Sequence, residues 1–183
     1  MINMKPIIKI MIICILVFNC FYGSSAVANA SALPYIVKDE ININRIGNWK
    51  VYANSNYKIT LEYPSEWKEN KGFTNRYDGN DGFFQVAAIS AENVSIDKVA
   101  DEDAHHIAKP YGSDPQINNI KVQGQDGRLI LPSADQGKEM SNQAGLIVKY
   151  PKPIKIGSRT YNYFVLYADK NHIEEIAKTI KFI

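Results

Sequence analysis

The sequence predicts an α+β domain, an antiparallel sheet flanked by helices, and three observations predict it. Tyr57 to Tyr63 alternates apolar and polar residues with a period of two, the pattern of a half-buried strand, and further short apolar runs bounded by turns read as strands. Most of these segments are separated by short turns, which favours antiparallel pairing. Two further segments carry apolar residues at helical spacing, so helices are expected to pack on the sheet.

Taken in order, Tyr57, Ile59, Leu61 and Tyr63 alternate with Lys58, Thr60 and Glu62, and Pro64 closes the strand because it has no N–H for a ladder. Asp78-Gly79-Asn80-Asp81-Gly82 is a turn cluster. Calcium binding of the EF-hand kind would need Glu at the twelfth position from Asp78, and Ile89 stands there. Phe83 to Ile89 reads as a central strand, apolar on both faces. Ser95 is placed to cap a helix running to about Ala108, with Ile96, Val99, Ala100, Ala104, Ile107 and Ala108 on one stripe. Pro110, Gly112 and Pro115 follow it.

Asn119 to Val122 and Arg128 to Leu131 are read as strands around a turn at Gly124 to Gly127, and a polar loop runs from Pro132 to about Ala144. Leu146 to Tyr150 is a strand closed by Pro151 and Pro153. Ile154 and Ile156 lead into Gly157-Ser158, a two-residue hairpin turn with glycine first. Tyr161 to Ala168 is read as the longest strand. Asp169 is read as the cap of a closing helix whose stripe is Ile173, Ile176, Ala177 and Ile180.

The block Tyr57-Lys58-Ile59-Thr60-Leu61-Glu62-Tyr63-Pro64-Ser65-Glu66-Trp67, then Phe83-Phe84-Gln85-Val86 and a short amphipathic helix, resembles the PsbP-like domains of bacterial secreted proteins and lipoproteins. The late strand Tyr161-Asn162-Tyr163-Phe164 and the final Ile180-Lys181-Phe182-Ile183 extend that resemblance over roughly residues 54–183. It implies an antiparallel sheet flanked by helices. The better-known members are accessory or binding proteins, a photosystem subunit and, more distantly, a partner of a small GTPase. The shared positions are core and turn residues, so no catalytic residue is implied.

The N-terminus reads as an export signal over residues 1–32. Lys5 and Lys9 precede a largely apolar stretch from Ile10 to Tyr22, and three A-x-A sites follow, at Ala26-Val27-Ala28, Ala28-Asn29-Ala30 and Ala30-Ser31-Ala32. The stretch is shorter than the roughly 20 residues of a membrane-spanning helix. A secreted or extracytoplasmic protein is therefore expected. An uncleaved anchor, or a lipid on Cys20, is the alternative route to a membrane. Residues 33–53 read as a tether with a loose pairing near Trp49, and residues 54–183 as the folded domain.

Both cysteines, Cys14 and Cys20, lie in the leader, which excludes thiol nucleophiles, Cys-ligated zinc and disulfides from the mature domain. Two of the 21 basic residues lie in the leader, leaving 19 to balance 19 acidic ones. No basic clustering of the kind nucleic acids require is evident, and no nucleic-acid partner is expected.

Three constellations carry candidate chemistry. On the first helix Asp101 and His105 stand four apart, as do Glu102 and His106, so each pair shares a face on which two ligands meet one metal. His172 completes such a site if the two helices are neighbours. His172-Ile173-Glu174 matches the short H-x-E of zinc deaminases, but their cysteine ligands are absent. No G-x-S-x-G or H-E-x-x-H motif occurs. Finally, Tyr161, Tyr163, Val165 and Tyr167 share one face of a strand by alternation, and a tyrosine-rich face suits recognition, with Tyr161, Tyr163 and Tyr167 as candidate ligand-binding residues.

The expected function is a non-catalytic extracytoplasmic binding or accessory module that recognises a protein or envelope component, with no cofactor. The rival is a small hydrolase or metal-dependent enzyme that uses carboxylates and the His105/His106 helix.

Overall fold

The computed structural model describes residues 48–183. The expected signal peptide, Cys20 and most of the expected tether lie outside the described residues. Among those residues the architecture is α+β and antiparallel, as predicted, but the sheet dominates and the helices are short. No helix there is long and apolar enough to cross a membrane.

In chain order the elements are β1 (Trp49–Asn54), β2 (Ile59–Pro64), β3 (Lys68–Glu69), β4 (Arg76–Asp78), β5 (Phe83–Ile89), α1 (Ile96–Ala104), β6 (Gln116–Val122), β7 (Gln125–Leu131), β8 (Gln143–Ile156), β9 (Arg159–Asp169), α2 (Ile173–Thr179) and β10 (Lys181–Phe182). A seven-stranded sheet has the order β3-β4-β5-β9-β8-β7-β6, and a three-stranded one the order β1-β2-β10. The loose pairing expected near Trp49 is a six-residue ladder, from Trp49 opposite Pro64 to Asn54 opposite Ile59.

Side chains alternate across the large sheet and make two cores. Phe84, Val86, Leu129, Leu146, Val148, Phe164 and Leu166 face α2 and the small sheet. Ile130, Ile147, Tyr163 and Val165 face α1, with Ile96, Val99, Ala100 and Ala104. The helices therefore lie on opposite faces of the sheet. The face toward α2 is rich in rings: Tyr77 stacks on Phe84 at 5.0 Å, and Tyr52, Tyr63 and Trp67 surround Phe84. A helix of seven residues is too short to persist alone. Ile173, Ile176 and Ile180 are each no more than 1% exposed, worth about 1.5–3 kcal/mol apiece. Thr179 Oγ1 adds a tie, accepting from the Glu62 N–H at 2.8 Å and donating to the Ile176 carbonyl at 2.7 Å.

Five local readings are corrected. α1 ends at Ala104, not near Ala108; His105 caps it, and Ile107, outside the stripe, is 92% exposed. The chain turns early because Asp103 reaches forward to the Tyr111 hydroxyl at 2.6 Å, which requires residues 106–110 to fold back. The β6–β7 turn is only Gln123-Gly124, both at positive φ (50° and 75°) as a type I′ hairpin requires, and Gly127 is in the ladder. Pro151 and Pro153 do not close a strand. They fall where the register jumps between Lys149 and Ile154, so their missing N–H groups cost no ladder bonds. At 14 residues this makes β8, not β9, the longest strand. Asp169 does not cap α2: His172 occupies that position, and the Asp169 side chain accepts instead from the Asn171 N–H at 3.0 Å.

Candidate functional site

The turn cluster 78–82 is a hairpin turn, as expected, with the Gly79 N–H donating to the Gly82 carbonyl at 2.8 Å. Its glycines serve close approach. A Cβ on Gly79 would lie 2.0 Å from Trp67 Cδ1, and one on Gly82 would lie 2.1 Å from an Asp169 carboxylate oxygen and 2.9 Å from Trp67 Cζ2. The loop thus lies against the Trp67 ring and the Asp169 side chain. Pairing of Phe84 with Ala168 brings the two segments together.

Four side chains converge there. Trp67 is buried and its indole N–H donates to Asp81 Oδ1 at 2.7 Å. Asp169 is buried, and its two carboxylate oxygens lie 3.0 and 2.8 Å from His172 Nδ1. The imidazole meets the Trp67 ring edge-on at 5.0 Å. Its Nε2 lies 3.5 Å from Asp81 Oδ2. A carboxylate against Nδ1 makes that nitrogen the donor and leaves Nε2 to the other side. That side is a pocket of about 330 Å³ whose lining includes Trp49, Ser65, Glu66, Asp81, His172 and Glu175. Three carboxylates and one imidazole line it, and among the described residues no lysine or arginine does.

The predicted site residues are distributed differently. Asp101 and His105 do meet, at 3.0 Å, on the exposed face of α1. Glu102 pairs with Lys98 at 3.3 Å rather than with His106, whose Nδ1 accepts from the Ala108 N–H beyond the helix end. His172 is on the α2 side of the sheet, so it cannot complete a site with His105; among the described residues no group of three or more His, Cys, Asp or Glu is placed to hold a metal.

The shared tyrosine face is broken by the bulge in β8. Tyr163 and Tyr167 pack with the α1 core, but Tyr161 packs with the other, while Asn162 turns to accept from the Ala91 N–H. Tyr163 is 4% exposed and donates to the Val94 carbonyl, so α1 and the segment before it cover this face.

Beneath α1 lies a second polar cluster that sequence reasoning missed. The Asp103 carboxylate, enclosed although the residue as a whole is half-exposed, accepts from the Tyr111 hydroxyl and from that of Tyr167 at 3.2 Å. Burial pushes the Asp103 carboxyl up, against the pull of the two hydroxyls. Burial, then the adjacent carboxylate, holds Tyr111 and Tyr167 well above the usual phenol range. The signal was available: Asp103 sits three and four residues beyond Ala100 and Val99, on the apolar stripe itself.

No protein-family profile and no curated protein sequence matches the chain. Among solved structures, the solution structure of cyanobacterial PsbP (CyanoP) from Synechocystis sp. PCC 6803 is similar at a TM-score of 0.40 and 12% identity, covering 79% of this chain and 98% of that one. The likeness is a loose one.

Proposed function

We propose that this protein is a non-catalytic extracytoplasmic binding or accessory module for a protein or envelope component, and that its ligand enters the His172 pocket and not the tyrosine face. The observation that carries this reading is the charge of the pocket. Among the described residues Glu66, Asp81 and Glu175 line it without a lysine or arginine. A developing oxyanion about 4 Å from one such carboxylate would be disfavoured by roughly 4 kcal/mol at an effective dielectric of 20. A cationic group would be favoured by as much. The lining therefore opposes acyl-transfer chemistry and suits a ligand that presents an ammonium or guanidinium group. The PsbP-like resemblance of residues 54–183 leans the same way.

The test is capture from an envelope extract by the purified protein, with Asp81→Asn/Glu175→Gln as control, since the asparagine amide still offers the Trp67 indole an acceptor. A stoichiometric partner retained by the wild type and weakened at least tenfold in the folded control is expected. Equal capture by both forms would remove the pocket from the reading.

One observation favours the rival class: the buried Asp169 holding His172 is also how a general base is oriented. Turnover of ester or amide chromogenic substrates by the wild type, lost in His172→Ala, would establish that reading instead.

A further inference from the structure

The β8–β9 hairpin extends past the sheet that holds it. Pairing of β7 with β8 stops at Val148, and pairing of β5 with β9 begins at Tyr163. Beyond these points the two strands pair only with each other, through Ile154–Tyr161, Lys155–Thr160 and Ile156–Arg159. Such a ribbon is marginal alone. Its base is held by the Tyr150 hydroxyl, which donates to the Tyr57 carbonyl at 2.9 Å, and by Ile154 and Tyr161, which pack on the aromatic core.

Its charge is one-sided. Between Met140 and Ala168 the chain has no Asp or Glu, and its only ionised side chains are Lys149, Lys152, Lys155 and Arg159, all exposed. Lys149 is near enough to Asp126 to help hold that carboxyl below its usual range. Lys152, Lys155 and Arg159 face no carboxylate within ion-pair distance among the described residues. The turn supports the projection: Gly157 alone takes positive φ (61°), which closes the ribbon in two residues and sets Ile156 against Arg159. Ile156, opposite Arg159 in the register, is half-exposed.

We infer that this ribbon docks on the surface of an anionic phospholipid bilayer. Cations without a carboxylate partner among the described residues, at the same ribbon tip as a half-exposed isoleucine, suit the boundary between headgroup and acyl chain, where an ammonium meets phosphate and an aliphatic side chain leaves water. A fully hydrated polyanion would take the cations and leave the isoleucine without a role. Each cation near an anionic surface contributes about fivefold to partition, so three contribute roughly a hundredfold. The surface is independent of the His172 pocket.

Co-sedimentation of the full chain with vesicles of phosphatidylglycerol and phosphatidylcholine, against vesicles of phosphatidylcholine alone, tests this. The Lys152→Gln/Lys155→Gln/Arg159→Gln variant is run in parallel, so that any contribution of the N-terminal apolar stretch is common to both proteins. Binding to the anionic vesicles that weakens with added salt and falls roughly a hundredfold in the variant is expected. Equal binding of both proteins to anionic vesicles would overturn the inference, as would binding that ignores salt. Retention by soluble polyphosphate without any on vesicles would overturn it too, and assign the ribbon to a polymer. The three side chains are exposed and make no ion pair among the described residues, so the variant keeps the fold.

Discussion

Asp103 beneath α1 and Asp169 at the end of β9 meet the same difficulty, a carboxylate taken out of water. They resolve it with different partners. Asp103 receives two phenol hydroxyls, which are neutral, and that of Tyr111 is bonded in turn to the Gln143 side chain. The cluster is closed, and burial raises the Asp103 carboxyl. Asp169 receives an imidazole and a backbone N–H, and the imidazole has a second nitrogen that faces Asp81 and the pocket. What the partner can do with its far end decides whether a buried acid is a fixture of the fold or the back wall of a site. The Tyr111 hydroxyl passes the contact to a neutral amide, and the His172 imidazole passes it to a carboxylate at a pocket.

The largest expected break in that comparison is on the open side. Trp67→Ala removes a buried ring that anchors Asp81 and packs against His172. A loss of about 3–5 kcal/mol is expected from urea unfolding, together with loss of any pocket-dependent capture. A variant that unfolds near the wild-type midpoint would mean that the glycine loop closes over the gap.

Next in size is Tyr111→Phe on the closed side. It leaves the enclosed Asp103 with Tyr167 alone, and a loss of about 1–3 kcal/mol is expected. Capture should be unchanged, because the pocket is on the other face of the sheet. A parallel loss of capture would show that the two clusters are coupled.

The smallest effect is in pH dependence. The folded state holds the Asp103 proton more tightly than the unfolded state does. Its contribution to stability is therefore most favourable below the ordinary value of 3.8 and is lost as pH rises through the raised folded value. In Asp103→Asn that decline should be absent, so the wild-type minus variant stability should fall across this acidic window and level off above it. A difference that instead rises with pH there would reverse the assignment.

Much of the fold was legible because it rests on local patterns. Alternation marks β2 and a short apolar run marks β5, Ser95 caps α1 by accepting from the Lys98 N–H, and Ile173, Ile176, Ala177 and Ile180 form the buried stripe of α2. The readings that failed did so where a distant contact overrode a local rule. Proline stops a strand only where its N–H is needed, and at Pro151 and Pro153 a bulge removes the need. Alternation places Tyr161 with Tyr163 only while the ladder is regular, and the same bulge turns Tyr161 to the other core. The α1 stripe continues toward Ile107 in sequence, but Tyr111 draws Asp103 inward and the helix ends.

By itself, then, the sequence determined the kinds of element, most of their turns, the absence of cysteine after Cys20, and the expectation of export. Those properties are set within a few residues by periodicity, capping and backbone freedom. The tertiary structure alone decided that Trp67, Asp81, Asp169 and His172 meet, that α1 and α2 lie on opposite faces, and that a cationic ribbon stands clear of its sheet. These depend on which strands neighbour one another. Placing β9 between β5 and β8 sets the glycine loop beside Asp169, across a separation of more than 80 residues that no local pattern encodes.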